Sequence, residues 1–153
     1  MKHRIRCGAL MVQGNDLVIG EHWGPPAGGL DGAESIYDCT QREFFEETGA
    51  TVSGLSLAYV TQYIDQKNQW NQVSFLFLAQ TIEGTPKAQS EWGKNNEWIE
   101  DIVWLGEDEL EGKFVIPPFI KDRFLKIFAT ESTRPSTFLP NTQSILSHPH
   151  QIV

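Results

Sequence analysis

The sequence predicts an α+β fold in which a mixed β-sheet is sandwiched between helices. Three observations predict it. Segments 55–64, 73–82 and 98–105 are rich in β-branched and aromatic residues, and 4–12 is largely apolar and followed by turn residues. One segment without Gly or Pro, 34–48, stands between the first strands and the later ones. Behind Pro117 and Pro118, Phe119, Ile120, Phe124, Leu125, Ile127 and Phe128 give an apolar stripe at helical spacing. Strands, a central helix, more strands and a closing helix make a layered domain.

The elements follow in order. Residues 4–12 form a strand, Gly14 and Asn15 supply a turn, and Leu17, Val18 and Ile19 begin the return strand of a hairpin. Residues 24–33 are rich in Gly and Pro and read as loop. The helix over 34–48 stops at Gly49, the residue best able to take the left-handed conformation that ends a helix. Strands over 55–64 and 73–82 flank a long polar hairpin loop at 65–71. Residues 83–96 form a polar loop and 98–105 a last strand. Residues 1–130 are predicted to form the domain. The remaining 131–153 are rich in Ser, Thr and Pro, a disordered composition. Phe138, Leu139, Ile145 and Leu146 would be its contacts if it packs on a partner subunit in a homodimer.

Composition narrows the function. The 153 residues are enough to bury a core without a disulfide or structural metal. A formal net charge of −8 repels nucleic-acid backbones, and no local basic patch stands out, so no nucleic-acid partner is expected. No apolar run is long enough to span a membrane, and Gln13 to Asp16 interrupt the start too early for a signal peptide. A cytoplasmic protein is expected. Cys7 and Cys39 match no metal-ligand spacing and read as buried reduced thiols.

Chemistry gathers on the helix. Residues three and four apart share a helix face, which brings Glu43, Glu46 and Glu47 together, with Cys39 and Ile36 one and two turns earlier. The carboxylates repel one another and lie at the helix C-terminus, where the dipole disfavours anions. Arg42 offsets part of that charge. A hard divalent cation, which prefers oxygen ligands, would offset more. Taken alone, the triplet is more simply a solvated acidic face.

The loop upstream reverses that reading. Gly28, Glu34, Arg42, Glu43, Glu46, Glu47 and Gly49 stand at fixed intervals: Gly, five residues, Glu, seven residues, then Arg-Glu-apolar-any-Glu-Glu-any-Gly-apolar, with Phe44 and Ala50 at the apolar places. Seven such identities arise by chance at roughly one in 10⁸ per start position, at about 7% per residue type. This pattern resembles the box of the Nudix hydrolases. The resemblance implies a Nudix-type α/β/α sandwich with a mixed β-sheet and the box as loop–helix–loop.

It also implies a Mg²⁺- or Mn²⁺-dependent pyrophosphohydrolase that cleaves a diphosphate bond in a nucleoside diphosphate linked to another group. Carried over, Glu43, Glu46 and Glu47 resemble the metal ligands, and the Ala27 carbonyl resembles the backbone ligand. Glu43 foremost is a candidate to deprotonate the attacking water. Arg42 and Glu34 resemble a pair that orients the carboxylates. Gly28 is the box's first glycine. Many members draw a further base from a loop outside the box; Glu97 is the preferred candidate, ahead of Glu100 and Glu91. A nucleotide-like substrate asks for aromatic stacking. Trp70 and Trp92, in polar surroundings, and Tyr63 are the candidates, with Trp23 and Trp98 behind them. Subfamily signals are mostly absent, which leaves a nucleoside triphosphate or a nucleotide-sugar-like compound. Two other readings compete. A Nudix-fold ligand sensor would not need all three glutamates. An isoprenyl diphosphate isomerase would want a cysteine beside the carboxylates, and Cys39 lies a turn too early.

Overall fold

The computed structural model describes residues 1–13, 16–20, 24–87, 102–113, 115 and 120. Strand β1, Lys2–Gln13, is the spine of the molecule. It pairs in parallel with β6, Trp70–Ala79, from Lys2 opposite Trp70 to Met11 opposite Ala79. β6 pairs antiparallel with β5, Ser56–Asp65, across a turn at 66–69 that is tighter than the expected loop. The far end of β1 pairs antiparallel with β2, Asp16–Gly20, as the hairpin predicts, and β2 pairs with β8, Ile102–Leu105. The sheet is mixed, in the order β5-β6-β1-β2-β8.

Two short pairings lie outside the sequence reading. Within the Gly- and Pro-rich segment, β3, Ala27–Gly29, is a strand on the free edge of β1, with Cys7 opposite Gly28. A separate ribbon joins β4, Thr51–Ser53, to β7, Thr81–Glu83. Both are held by partners distant in sequence. A short helix, α2, Glu107–Leu110, follows β8.

Helix α1, Ile36–Thr48, starts one residue after its cap. Ser35 and Asp38 form a capping box, each side chain bonding the other's backbone N–H, which satisfies two of the donors at the helix start. Gly49 ends the helix at φ 71°, and its N–H donates to the Phe45 carbonyl at 2.7 Å. The last turn carries no basic residue.

Alternate residues of β1 feed two apolar layers. Ala9 and Met11 pack with Phe44, Ala50, Val52, Ala79 and Ile102 on the α1 side. Leu10 packs with Leu76, Leu105, Leu110, Val115 and Ile120 on the other. Phe44, Phe77, Leu10 and Leu110 are fully buried. No helix among the described residues is long and apolar enough to cross a membrane. The expected closing helix behind Pro117, apart from the buried Ile120, and the tail 131–153 lie outside the described residues.

Candidate active site

The site forms where the C-terminal half of α1 meets β3. The capping box fixes the start of the helix and β1 fixes the strand, so the two halves of the box motif face each other. Arg42 ties them together. Its guanidinium grips Glu34 with two bonds, Nη2 to Oε1 at 2.6 Å and Nε to Oε2 at 3.0 Å. The same Nη2 donates to the Gly29 carbonyl at 3.0 Å. Nη1 donates to Glu43 at 2.7 Å and to Glu46 at 3.2 Å. One planar cation thus spans loop, strand and two carboxylates, a geometry a lysine could not reproduce.

Glu47 turns the other way and accepts from the Ala27 backbone N–H at 3.2 Å. Glu43 lies between them, directly against Gly28, where a Cβ would fall inside its carboxylate. The Ala27 carbonyl accepts a bond from the guanidinium of Arg6. The structure therefore brings Glu34, Arg42, Glu43, Glu46, Glu47, Ala27 and Gly28 into one cluster. Glu97 and Trp92, and with them Glu91, Glu100, Trp23 and Trp98, lie outside the described residues.

The electrostatics follow from burial. The bonds from Arg42 hold the Glu34 carboxyl down at about 2. Desolvation pushes Glu43 above the usual carboxylate range, against the pull of Arg42. The Arg42 guanidinium is itself held more firmly protonated by Glu34. Cys7 and Cys39 are free, buried thiols, as expected, and burial raises both. Cys39 touches the Gly29 carbonyl at 3.5 Å and Arg42 Nη2 at 3.7 Å, so it is packing beneath the site.

The donor chemistry fits a hard divalent cation: three carboxylates and a backbone carbonyl, all oxygen. Guanidinium groups supply the positive charge in this arrangement, Arg42 between Glu43 and Glu46 and Arg6 on the Ala27 carbonyl. Among the described residues no three acidic, Cys or His side chains converge on a single point.

The aromatic candidates Tyr63 and Trp70 stand elsewhere, but together. Register partners point to the same side of a sheet. Asp65 opposite Trp70 and Tyr63 opposite Gln72 put both rings on one face. Lys2 and Arg4 of β1, opposite Trp70 and Gln72, share it, and so does Arg6, opposite Ser74. This face is the reverse of the one that carries α1. Trp70 is 37% exposed, with the Lys2 ammonium 5.6 Å from its ring centroid. Burial and the Asp65 carboxylate push the Tyr63 phenol up. Sequence reasoning missed Arg4 and Arg6. The signal was there as cations at every second residue of the first strand, in a chain that is acidic overall.

The NUDIX domain signature, compared along the whole chain, matches residues 3–124. The chain belongs to the Nudix family. The match runs from β1 past β8 and contains the whole cluster. A MutT Nudix hydrolase from Burkholderia pseudomallei has a similar structure, with 24% identity and a TM-score of 0.67 over 82% of this chain and 98% of that one. The Escherichia coli ORF135 protein gives 16% identity and a TM-score of 0.65 over 88% of this chain and 96% of that one. A MutT protein from Bacillus halodurans gives 23% identity and a TM-score of 0.62, over 80% and 82%. At these identities the likeness is one of fold. No curated protein matches the chain. As a Nudix domain the protein is a pyrophosphohydrolase of phosphoric anhydrides, a family that acts on nucleoside diphosphate-linked compounds.

Proposed function

We propose that this Nudix domain hydrolyses a diphosphate bond in a nucleoside diphosphate linked to a further phosphate or to a sugar-like group, with Mg²⁺ or Mn²⁺. One observation carries the reading: Arg42 holds Glu43 and Glu46 against the Gly29 carbonyl while Glu47 accepts from the Ala27 N–H of the same strand.

The cation would be held by Glu43, Glu46, Glu47 and the Ala27 carbonyl. When bound it neutralises non-bridging oxygens, lowers the pKa of a water and keeps nucleophile and leaving group in line. The protein's share is position and charge. Arg42 fixes the rotamers of Glu43 and Glu46 from a base anchored on Glu34. Gly28 leaves room for the Glu43 carboxylate at the strand. Burial raises the proton affinity of Glu43, which suits it to take the proton of the attacking water. Glu97 is the second candidate for that role. Tyr63 and Trp70 offer faces on which a base can stack.

The test is a panel of nucleoside triphosphates, nucleotide sugars and dinucleoside polyphosphates with Mg²⁺, followed by phosphate and pyrophosphate release. Turnover of at least one member, abolished by a chelator, is expected. Measurable binding without turnover of any member would favour a ligand sensor instead.

A further inference from the structure

The first strand carries two guanidinium groups outside the Arg42 network, Arg6 reaching the rim of the carboxylate cluster and Arg4 lying beyond it. Arg4 and Arg6 lie on one face of β1, and both are half-buried. Neither takes part in an ion pair among the described residues, although the chain carries eight more acidic than basic groups. In a chain with this acidic excess, two neighbouring arginines without an ion pair among the described residues present cationic charge to an anion.

Their surroundings say where that charge is directed. Arg6 reaches the Ala27 carbonyl at the rim of the carboxylate cluster, and its Nε is buried without a hydrogen-bond partner. A buried N–H left unpaired is costly, and a ligand oxygen would satisfy it. Arg4 stands one step further from the cluster. Its guanidinium lies over Gly29: a Cβ there would stand 3.3 Å from Nε and from Nη2. The absent side chain leaves that planar fork open. Gln72 and Ser74, opposite Arg4 and Arg6 on β6, line the same strip with polar groups, Gln72 Nε2 donating to Ser74 Oγ at 3.2 Å. The strip runs from the rim of the cluster towards Tyr63 and Trp70.

We infer that Arg6 and Arg4 form an anion-binding strip beside the carboxylates, and that they select a substrate with three linked phosphates over one with two. The inference rests on the hydrolase reading and deepens it. Two residues along a strand are roughly 6.6 Å apart, further than one P–O–P link reaches. A substrate whose diphosphate sits at the Ala27 rim meets Arg6, and only a third phosphate extends to Arg4. Arginine suits this task, because its fork matches the oxygens of a phosphate bidentately.

The test separates this strip from the chemistry. The full chain, freed of metal with a chelator, is titrated by calorimetry with inorganic triphosphate and with inorganic diphosphate. Wild-type protein should bind triphosphate roughly tenfold more tightly or better, the worth of one charge-assisted contact. Arg4→Gln should reduce that preference to about threefold or less, and Arg4→Lys should restore part of it. Gly29→Ala, which crowds the Arg4 fork without altering its charge, should also lower it. An equal affinity of wild-type protein for both anions, no binding of either, or an undiminished preference in Arg4→Gln would overturn the inference. On a nucleoside triphosphate that the enzyme turns over, Arg4→Gln should raise KM by roughly tenfold and affect kcat much less. If no nucleotide is turned over while the triphosphate preference behaves as stated, the hydrolase assignment falls and the strip stands.

Discussion

The carboxylate of Glu43 occupies the space that a side chain at Gly28 would need. Helix and strand meet so closely there that the glycine is part of the carboxylate's seat. Gly28→Ala must therefore push Glu43 out of place or force α1 away from β3. A displacement of about 1 Å in a reacting group costs on the order of 100-fold in rate. We expect Gly28→Ala to lose kcat on that scale. Gly32→Ala, where a Cβ meets nothing within 4 Å, should stay close to the wild-type rate even though its φ of 52° adds some strain. Comparable losses in both variants would show that the loop's flexibility matters, not the seat.

Glu46 and Glu47 are pulled in different directions, one towards Arg42 and the other towards the Ala27 N–H. Glutamine in either place keeps the shape and a hydrogen-bond acceptor, and removes the charge. Glu46→Gln and Glu47→Gln should each lower kcat on the order of 100-fold or more, because both are assigned to the cation. The fold should survive. Removing one of several clustered like charges at a helix C-terminus relieves repulsion, so thermal melts should show an unchanged or slightly higher Tm. Wild-type turnover in both variants would end their assignment as metal ligands.

The Arg42–Glu34 pair makes a statement about pH. Glu34 titrates at about 2 in the folded protein, below its ordinary 4.5, chiefly because Arg42 bonds its charged form. A depressed carboxylate stabilises the fold above its unfolded pKa. That contribution is lost as pH falls from 4.5 through 2. For a pair that is partly exposed, screening leaves on the order of 1 kcal/mol. Melts of wild type and Glu34→Gln should differ near neutral pH and converge as the pH falls below about 4. Arg42→Lys, which keeps the charge but not the fork, should also lower Tm at neutral pH and reduce kcat through the freed Glu43. A wild-type to Glu34→Gln difference that stays constant down to pH 2.5 would contradict this account.

Local signals in the sequence carry some of these features and not others. The α1 helix is legible because a Gly- and Pro-free run ends at Gly49, and the site is legible because the box spacing is rigid on a helix. The hairpin of β1 and β2 is legible from its turn residues. Strand β3 is not, since Ala27–Gly29 has no strand composition and is extended only because the edge of β1 is open to it. The same holds for the ribbon of β4 and β7, which closes between residues some thirty positions apart in the chain, Thr51 opposite Glu83. Arg4 and Arg6 escaped for a related reason. Alternation on one strand says that two side chains share a face, but only the register with β3 and β6 says what else lies there.

Phe44 and Ala50 stand at the box positions where a mid-sized aliphatic residue is usual, one larger and the other smaller. Both are fully buried and belong to one cluster with Val52, Met11 and Ile102. If the large ring fills the volume that the small methyl leaves, the two departures form one compensated pair. Phe44→Ala should cost about 3–5 kcal/mol, the usual penalty for emptying such a site, and Ala50→Val about 1–3 kcal/mol from overpacking. Phe44→Leu on its own should cost less than Phe44→Ala. Combined with Ala50→Val it should cost less than the sum of the two single changes, since each relieves the other's volume error. Chemical denaturation of the two single variants and the double variant gives the coupling directly. Strict additivity would mean that the two residues fill separate spaces, and that the ring beside Glu43 is fitted to something other than Ala50.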